Sequence, residues 1–320
     1  MTTALPTPSG PIPPRAPIAP VEPFAHFLSA IGHRVLRGAG AYWYDASRGF
    51  FLATPSHRLL RPAEEELTAL FRHQPCAGLR FAAPLEGPGK LSYQIVCDVR
   101  DYGLEGLSAN VRSKVRRGLR RCEITPVSWA TIAVQGLPAD RETLARQQRA
   151  VRLVGPAWDA YWSAAAATPT MEGWGAFVGG ELAAFLVTVL VDDSVEFLLA
   201  RSRSDALEAY PNNALVYEVA RRMLVERNVR QITFGLESLE DVEALDQFKY
   251  GMGFRRAPLR QRVVFHPMLR GILRTAGARA AVRRWADGRG GRGGFWHKAL
   301  GLLRFAEEGG DLRGASQWAA

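Results

Sequence analysis

Two carboxylates and one helix start carry the chemistry open to this sequence. Glu237 closes the β-rich run 229–236, and Glu196 lies on the run 195–200 before it, so each occupies a strand position from which a carboxylate can take a proton from a reacting group. For each, the alternative is a surface carboxylate paired with arginine. Between the two runs, Tyr210-Pro211-Asn212-Asn213 opens a segment whose apolar residues Leu215, Val219, Met223 and Leu224 recur at helical spacing. A helix start presents free backbone N–H groups and the positive end of a dipole, which suit a phosphate. The plainer reading of Asn212 or Asn213 is the N-cap of a core helix. A second basic feature lies at 107–122. There Leu107, Val111, Val115 and Leu119 make one apolar stripe, and Arg112, Lys114, Arg116, Arg117, Arg120 and Arg121 cover the rest. Their mutual repulsion is eased by a bound polyanion or by acids from elsewhere in the fold, unless the face is simply solvated.

The elements that must position these groups follow from the surrounding pattern. The run 212–227 reads as a helix ended by Asn228 in a left-handed cap, followed by a strand at 229–236 with Ile232 and Phe234 on one face. A helix over 239–250 ends at Gly251 and Gly253, and strand character resumes at 260–265. Upstream, Gly179-Gly180 separates 176–178 from the long apolar run 182–191, a hairpin that 195–200 extends towards the central helix. Two helices are expected over 138–153 and 156–167, the second carrying Trp158, Tyr161 and Trp162 as core or near an acceptor cleft. From 24 to 90 the pattern gives helices at 24–36 and 62–72 and strands at 42–44, 50–52 and 79–83, with another at 93–99 beyond it and no catalytic grouping. Residues 1–23 hold eight prolines and read as a disordered tail. Residues 267–320 read as a basic helical tail broken by the Gly-rich 287–294. Such segments can pack on the body, lie on an anionic membrane surface or touch RNA.

Composition limits the function classes. The net charge of +10 comes almost wholly from arginine, a bias common in GC-rich bacterial genomes, and residues 267–320 hold ten Arg or Lys against four acids. The body left after that tail is too weakly basic for a dedicated nucleic-acid binder. Three cysteines without metal-ligand spacing fit a reducing cytoplasm and suggest neither disulfides nor zinc. Motifs for nucleotide hydrolysis, serine hydrolysis, zinc proteolysis and dinucleotide binding are absent. No apolar run is long enough to span a bilayer.

Asn212-Asn213-Ala214-Leu215 together with Phe248-Lys249-Tyr250-Gly251-Met252-Gly253-Phe254 resembles the second half of the GNAT acyltransferase superfamily, and the arginine helix before it resembles the FemAB-like branch, which includes BioF2-like acetyltransferase domains. The resemblance covers about residues 91–266. It implies a mixed α/β (α+β) GNAT-like fold with a central, mostly antiparallel sheet flanked by helices. It also implies an organisation into the tail 1–23, an N-terminal portion 24–90 that is reduced, the acyltransferase core 91–266 and the tail 267–320. The implied activity is N-acyl transfer by direct attack of an amine on an acyl donor, with acyl-CoA as cosubstrate and no metal. The acceptor is then a small-molecule or peptide amine, with Glu237 or Glu196 as base. Tyr210, Asn212, Asn213, Lys249 and Tyr250, with Arg116 and Arg120, would hold the donor's phosphate. One departure from the pattern is that 201–213 contains none of the glycines with which acyl-CoA enzymes cradle pyrophosphate. An aminoacyl-tRNA-dependent ligase on the same fold, or a non-catalytic binding protein, remains open.

Overall fold

The computed structural model describes residues 18–312 except 48, 74, 152, 240–242 and 288–294. Eleven strands form one sheet: β1 (Val35–Gly38), β2 (Ala41–Ser47), β3 (Phe50–Thr54), β4 (Gly78–Ala83), β5 (Lys90–Cys97), β6 (Glu123–Pro126), β7 (Met171–Val178), β8 (Glu181–Val191), β9 (Ser194–Ser202), β10 (Gln231–Leu236) and β11 (Arg255–Phe265). Their order is β1-β2-β3-β4-β11-β5-β10-β9-β8-β7-β6, and only β3–β4 and β9–β10 are parallel. The expected mixed α/β architecture, a mostly antiparallel sheet flanked by helices, is therefore present.

That order contains a repeat. β1–β3 form an antiparallel meander, and the helix Glu64–His73 crosses over to the parallel strand β4. β7–β9 form a second meander, and the helix Pro211–Arg221 crosses over to β10. A parallel neighbour requires a crossover of this length, which is why each helix lies where it does. The next strand of each half is exchanged. β5 leaves β4 to pair with β10, β11 leaves β10 to pair with β4, and the two pair with each other from Arg255↔Val96 to Gln261↔Lys90.

Alternation along β8 sends Ala184 and Leu186 to one face and Phe185 and Val187 to the other. The first face is covered by Pro211–Arg221 and by the arginine helix Ala109–Arg121, whose Val115 is fully buried, with Val111 and Leu119 packed beside it. On the second face lie the helices Glu22–Ala30, Trp129–Gln135, Leu137–Arg146 and Pro156–Ala166. Trp158, Tyr161 and Trp162 are core there, with Trp158 and Trp162 edge to face at 5.0 Å. Helix Phe295–Glu308 packs Leu302, Leu303 and Phe305 against Val263 and Phe265 of β11.

Several boundaries differ from the sequence expectations. Ala19 bridges to Asp192, donating its N–H to that carbonyl at 2.8 Å, and Val21 is buried, so the packed body starts before residue 23; residues 1–17 lie outside the described residues. The helix expected over 24–36 stops at Ala30, Gly32 takes φ +91°, and Val35 begins β1. The helix 138–153 stops at Arg146. The division at 90/91 falls at the start of β5 inside an unbroken sheet, and the N-terminal portion is a full half, not a reduced one. Helix Phe295–Glu308 packs on β11, so this part of 267–320 belongs to the body; residues 288–294 and 313–320 lie outside the described residues.

The arginine helix approaches closely through Gly118. A Cβ there would meet the Tyr210 carbonyl oxygen at 2.7 Å and Ala214 Cβ at 2.9 Å. Gly118→Val is therefore expected to cost about 1–3 kcal/mol in urea denaturation. Gly106→Ala, with nothing within 4 Å of the added carbon, should stay within about 0.5 kcal/mol of wild type.

Candidate functional site

The site lies where the two parallel strands of the second half part. β10 pairs with β9 only from Gln231↔Ser194 to Thr233↔Glu196, and beyond that β9 runs on to Ser202 and β10 to Leu236. Both strands are deformed there. Gly235 has φ +85° within a register shift against β5, and Leu198 has no partner in the β8 register, between Thr188↔Phe197 and Val187↔Leu199. Bulges of this kind re-aim side chains, and the one at Gly235 brings Leu236 and Glu237 together on the second face. On the first face the rings of Phe197, Phe234 and Phe254 are in contact, with centroids 4.8–6.2 Å apart.

Opening from the second face is a cavity of about 860 Å³ whose wall includes Phe51, Arg80, Tyr161, Leu199, Arg201 and Glu237. Through Glu237 and Arg80 its wall is joined to a buried network anchored on alternate residues of β5. Ser92 donates to Glu237 Oε2 at 2.5 Å, and Gln94 donates to Ser56 Oγ at 3.2 Å, which donates to Glu196 Oε2 at 3.0 Å. Residues i and i+2 share a face and lie roughly 7 Å apart, so one strand holds both carboxylates. Gln261 of β11 ties the network to Arg80: its Nε2 donates to Ser92 Oγ at 2.7 Å, and its Oε1 accepts from Arg80 Nε at 2.7 Å.

The electrostatics separate the two acids. Glu196 is half-buried, and loss of water raises its pKa above the ordinary glutamate value against the Ser56 hydrogen bond, which lowers it. Glu237 keeps a cation nearby, with Lys90 Nζ 3.8 Å from Oε1. Arg80 donates through Nη2 to the Glu237 carbonyl at 2.6 Å and has no carboxylate partner among the described residues; burial pushes its pKa down to about 10. Asp140 accepts from Arg201 Nε at 2.5 Å through Oδ1, while its buried Oδ2 has no hydrogen-bond partner. The wall thus holds a guanidinium with no ion-pair partner among the described residues, beside Asp140, whose second carboxylate oxygen is buried and unbonded among them.

The remaining expected site residues lie on the first face. Asn212 and Asn213 are not side-chain caps. Asn212 donates to Ser202 Oγ at 2.9 Å and Asn213 contacts Met252 Sδ at 3.6 Å, because Tyr210, in the left-handed conformation at φ 57°, is the residue that precedes the helix. The first intrahelical bond is Ala214 N–H to the Tyr210 carbonyl, and the N–H groups of Asn212 and Asn213 have no partner among the described residues. Arg117 stacks over the Tyr210 ring at 5.5 Å and also lines a groove of about 360 Å³ with Arg112, Arg116 and Arg120. Among the described residues those three have no ion-pair partner. Lys249 pairs with Asp246 at 2.8 Å, and Tyr250 Oη accepts from Arg256 at 2.7 Å, so both are engaged within the protein. The structure brings Glu237 to the cavity wall and Glu196 to the hydrogen-bond network joined to β5, and it sets Tyr210 at the helix start with Arg117 over its ring, while Arg116 and Arg120 lie on the outward face of their own helix. The sequence reading missed Ser56, Arg80, Ser92, Gln94, Asp140 and Gln261, whose signal is a polar residue interrupting an apolar strand or helix face.

No helix among the described residues is long and apolar enough to cross a membrane, and the three cysteines are buried and free. No family model matches the sequence, and no curated protein matches it. Solved structures similar to it include FemX, at 10% identity over 80% of this chain and 94% of that one with a TM-score of 0.57. Another is the C-terminal domain (DUF2156) of a putative lysylphosphatidylglycerol synthetase from Agrobacterium fabrum, at 14% identity over 74% and 86% of the two chains with a TM-score of 0.51.

The raised Glu196 pKa has a stability consequence. A carboxyl whose folded pKa exceeds its unfolded value, about 4.3, favours folding below that value and loses this contribution as pH rises through the folded pKa. Glu196→Gln is therefore expected to melt no lower than wild type at neutral pH, with the two converging below about pH 4. A large loss of stability at pH 7 that is absent at pH 4 would show instead that the carboxylate form is favoured.

Proposed function

Starting from a FemAB-like, GNAT-type fold, we propose that this chain is an acyltransferase that moves an acyl or aminoacyl group from a phosphate-bearing donor to an amine by direct transfer. The observation that carries this reading is the parting of β9 and β10, with a carboxylate of raised pKa on its cavity side and unpaired cations and backbone N–H groups on its other side. The donor's phosphates lie along Arg112, Arg116 and Arg120 and reach Arg117 and the N–H groups of Asn212 and Asn213. Its acyl carbonyl enters the parting, where the backbone at Leu198, outside the ladder, supplies an N–H to polarise it. The acceptor amine occupies the cavity, with any carboxylate or phosphate it carries against Arg80. Its nitrogen attacks the carbonyl carbon, the bond from that carbon to the donor's sulfur or oxygen breaks, and Glu196 takes the proton the nitrogen loses. Glu237, held by Ser92 and near Lys90, orients the acceptor and is the second candidate base.

Two donors fit. The free N–H groups at the helix start suit the pyrophosphate of acyl-CoA. The groove favours aminoacyl-tRNA: arginines one turn apart along Ala109–Arg121 exceed what one pyrophosphate needs, and Gly118 packs tightly where a glycine loop would otherwise open. Thermal stabilisation by CoA supports the first, and retention of tRNA that falls steeply with salt supports the second. A chain that answers neither ligand is not this enzyme.

With the donor in hand, Arg116→Glu with Arg120→Glu is expected to raise its KM about ten-fold or more at unchanged melting temperature, since about 1.4 kcal/mol corresponds to each decade and exposed charges add little stability. Glu196→Gln should lower kcat about a hundred-fold or more and remove the acid limb of the pH–rate profile, a limb that lies above the ordinary glutamate pKa. An unchanged limb would pass the role to Glu237.

A further inference from the structure

The carboxyl-terminal helices are tied to each other and to the sheet by ion pairs. Glu307 takes Arg279 at 2.9 Å and Arg283 at 2.7 Å, Glu308 takes Lys90 at 3.4 Å, and Asp311 takes Arg262 at 2.9 Å. Glu307, Glu308 and Asp311 are thus engaged in ion pairs, and Arg274 and Arg284 stay exposed with no ion-pair partner among the described residues. Apolar side chains share that exposure. On the helix Pro267–Leu273, Leu273 packs inward with Phe265 and Leu302, whereas Met268 and Ile272, one turn apart, are 75% and 58% exposed. The following helix Ala276–Asp287 repeats the division, with Val282 packed and Ala276, Ala280 and Arg284 exposed.

We propose that Met268, Ile272, Arg274 and Arg284 form a docking surface for an anionic phospholipid membrane. Two apolar side chains enter the boundary between headgroups and acyl chains, and the arginines, which have no ion-pair partner among the described residues, meet lipid phosphates. A protein partner of the same area would need its own acids, whereas an anionic bilayer offers phosphate everywhere the arginines reach. The surface is also continuous with the cavity: Ala276–Asp287 packs on Phe295–Glu308, and Lys298 and Leu302 of that helix line the cavity wall. Docking therefore places the cavity beside the lipid headgroups. The proposal stands apart from the transfer reaction, and its test does not use activity.

The test is co-sedimentation of the full chain with vesicles of equal parts phosphatidylglycerol and phosphatidylcholine, beside vesicles of phosphatidylcholine alone. Binding is expected to the first and not to the second, falling as salt rises. Arg274→Gln and Arg284→Gln should each weaken it about five-fold, and Met268→Ser with Ile272→Ser about ten-fold or more, all at wild-type melting temperature. Because all four side chains are exposed, the arginine pair remains a valid probe even if the apolar pair destabilises the helix. Equal binding to both vesicles, binding to neither, or variants that bind like wild type overturn the proposal. A change of oligomeric state on Met268→Ser with Ile272→Ser assigns the face to a second copy instead. RNA retention that depends on the two arginines and ignores the apolar pair assigns it to nucleic acid.

Discussion

The exchange of β5 and β11 is the constraint on which the rest of the structure depends. Neither half owns a complete set of strands: β4 is covered by a strand that follows β10, and β10 by one that follows β4. Removing either half would expose sheet edges in the other, and unpaired edges are costly and prone to wrong pairing. The halves therefore cannot hinge apart without breaking ladder hydrogen bonds in the middle of the sheet. A cavity walled by β3 and β4 on one side and by β9 and the end of β10 on the other gains a fixed width from this, without a disulfide to hold it.

The same central pair explains why polar residues sit where strands are normally apolar. Ser92 and Gln94 on β5 and Gln261 on β11 are all buried, and each would cost stability if left without a partner. They are instead bonded to one another, to Ser56 and to the two carboxylates, which fixes those side chains more firmly than surface loops could. Arg80 completes the arrangement by donating to a side-chain amide and a backbone carbonyl, both neutral. A carboxylate in that place would have neutralised it. Neutral partners orient the guanidinium and leave its charge for whatever enters the cavity.

How much of this was legible follows from which signals are local. The Gly179-Gly180 hairpin, the strand β10, the left-handed Asn228 and the apolar stripe of the arginine helix depend on neighbours within a few residues, and the structure has each of them. The buried polar network depends on Ser56 meeting Glu196 across 140 residues and on Arg80 meeting Gln261 across 181, contacts that no local pattern encodes. No spacing rule reaches that far, so residues 24–90 read as empty of chemistry although they supply Ser56 and Arg80. Asn212 and Asn213 show the opposite error. Their residue type predicts a cap, but Pro211 already starts the helix, and one residue further in, their side chains point to Ser202 and Met252.

The arginine helix shows how magnitudes decide between readings that residue types leave open. Six cations on four turns repel at a cost of a few tenths of a kcal/mol per like-charged pair. Burying Val115, with much of Val111 and Leu119, contributes about 1.5–3 kcal/mol for each side chain fully withdrawn from water. Packing therefore wins without help from acids, and none arrives: Arg117 settles on the Tyr210 ring and Arg121 on the Glu208 carbonyl, while Arg112, Lys114, Arg116 and Arg120 stay without ion pairs among the described residues. A helix held by its apolar stripe can keep a charged face uncompensated in the folded state. The close contact at Gly118 holds the opposite side of that helix against Tyr210 and Ala214, so the charged face turns outward while Arg117 reaches the Tyr210 ring at the start of the crossover helix.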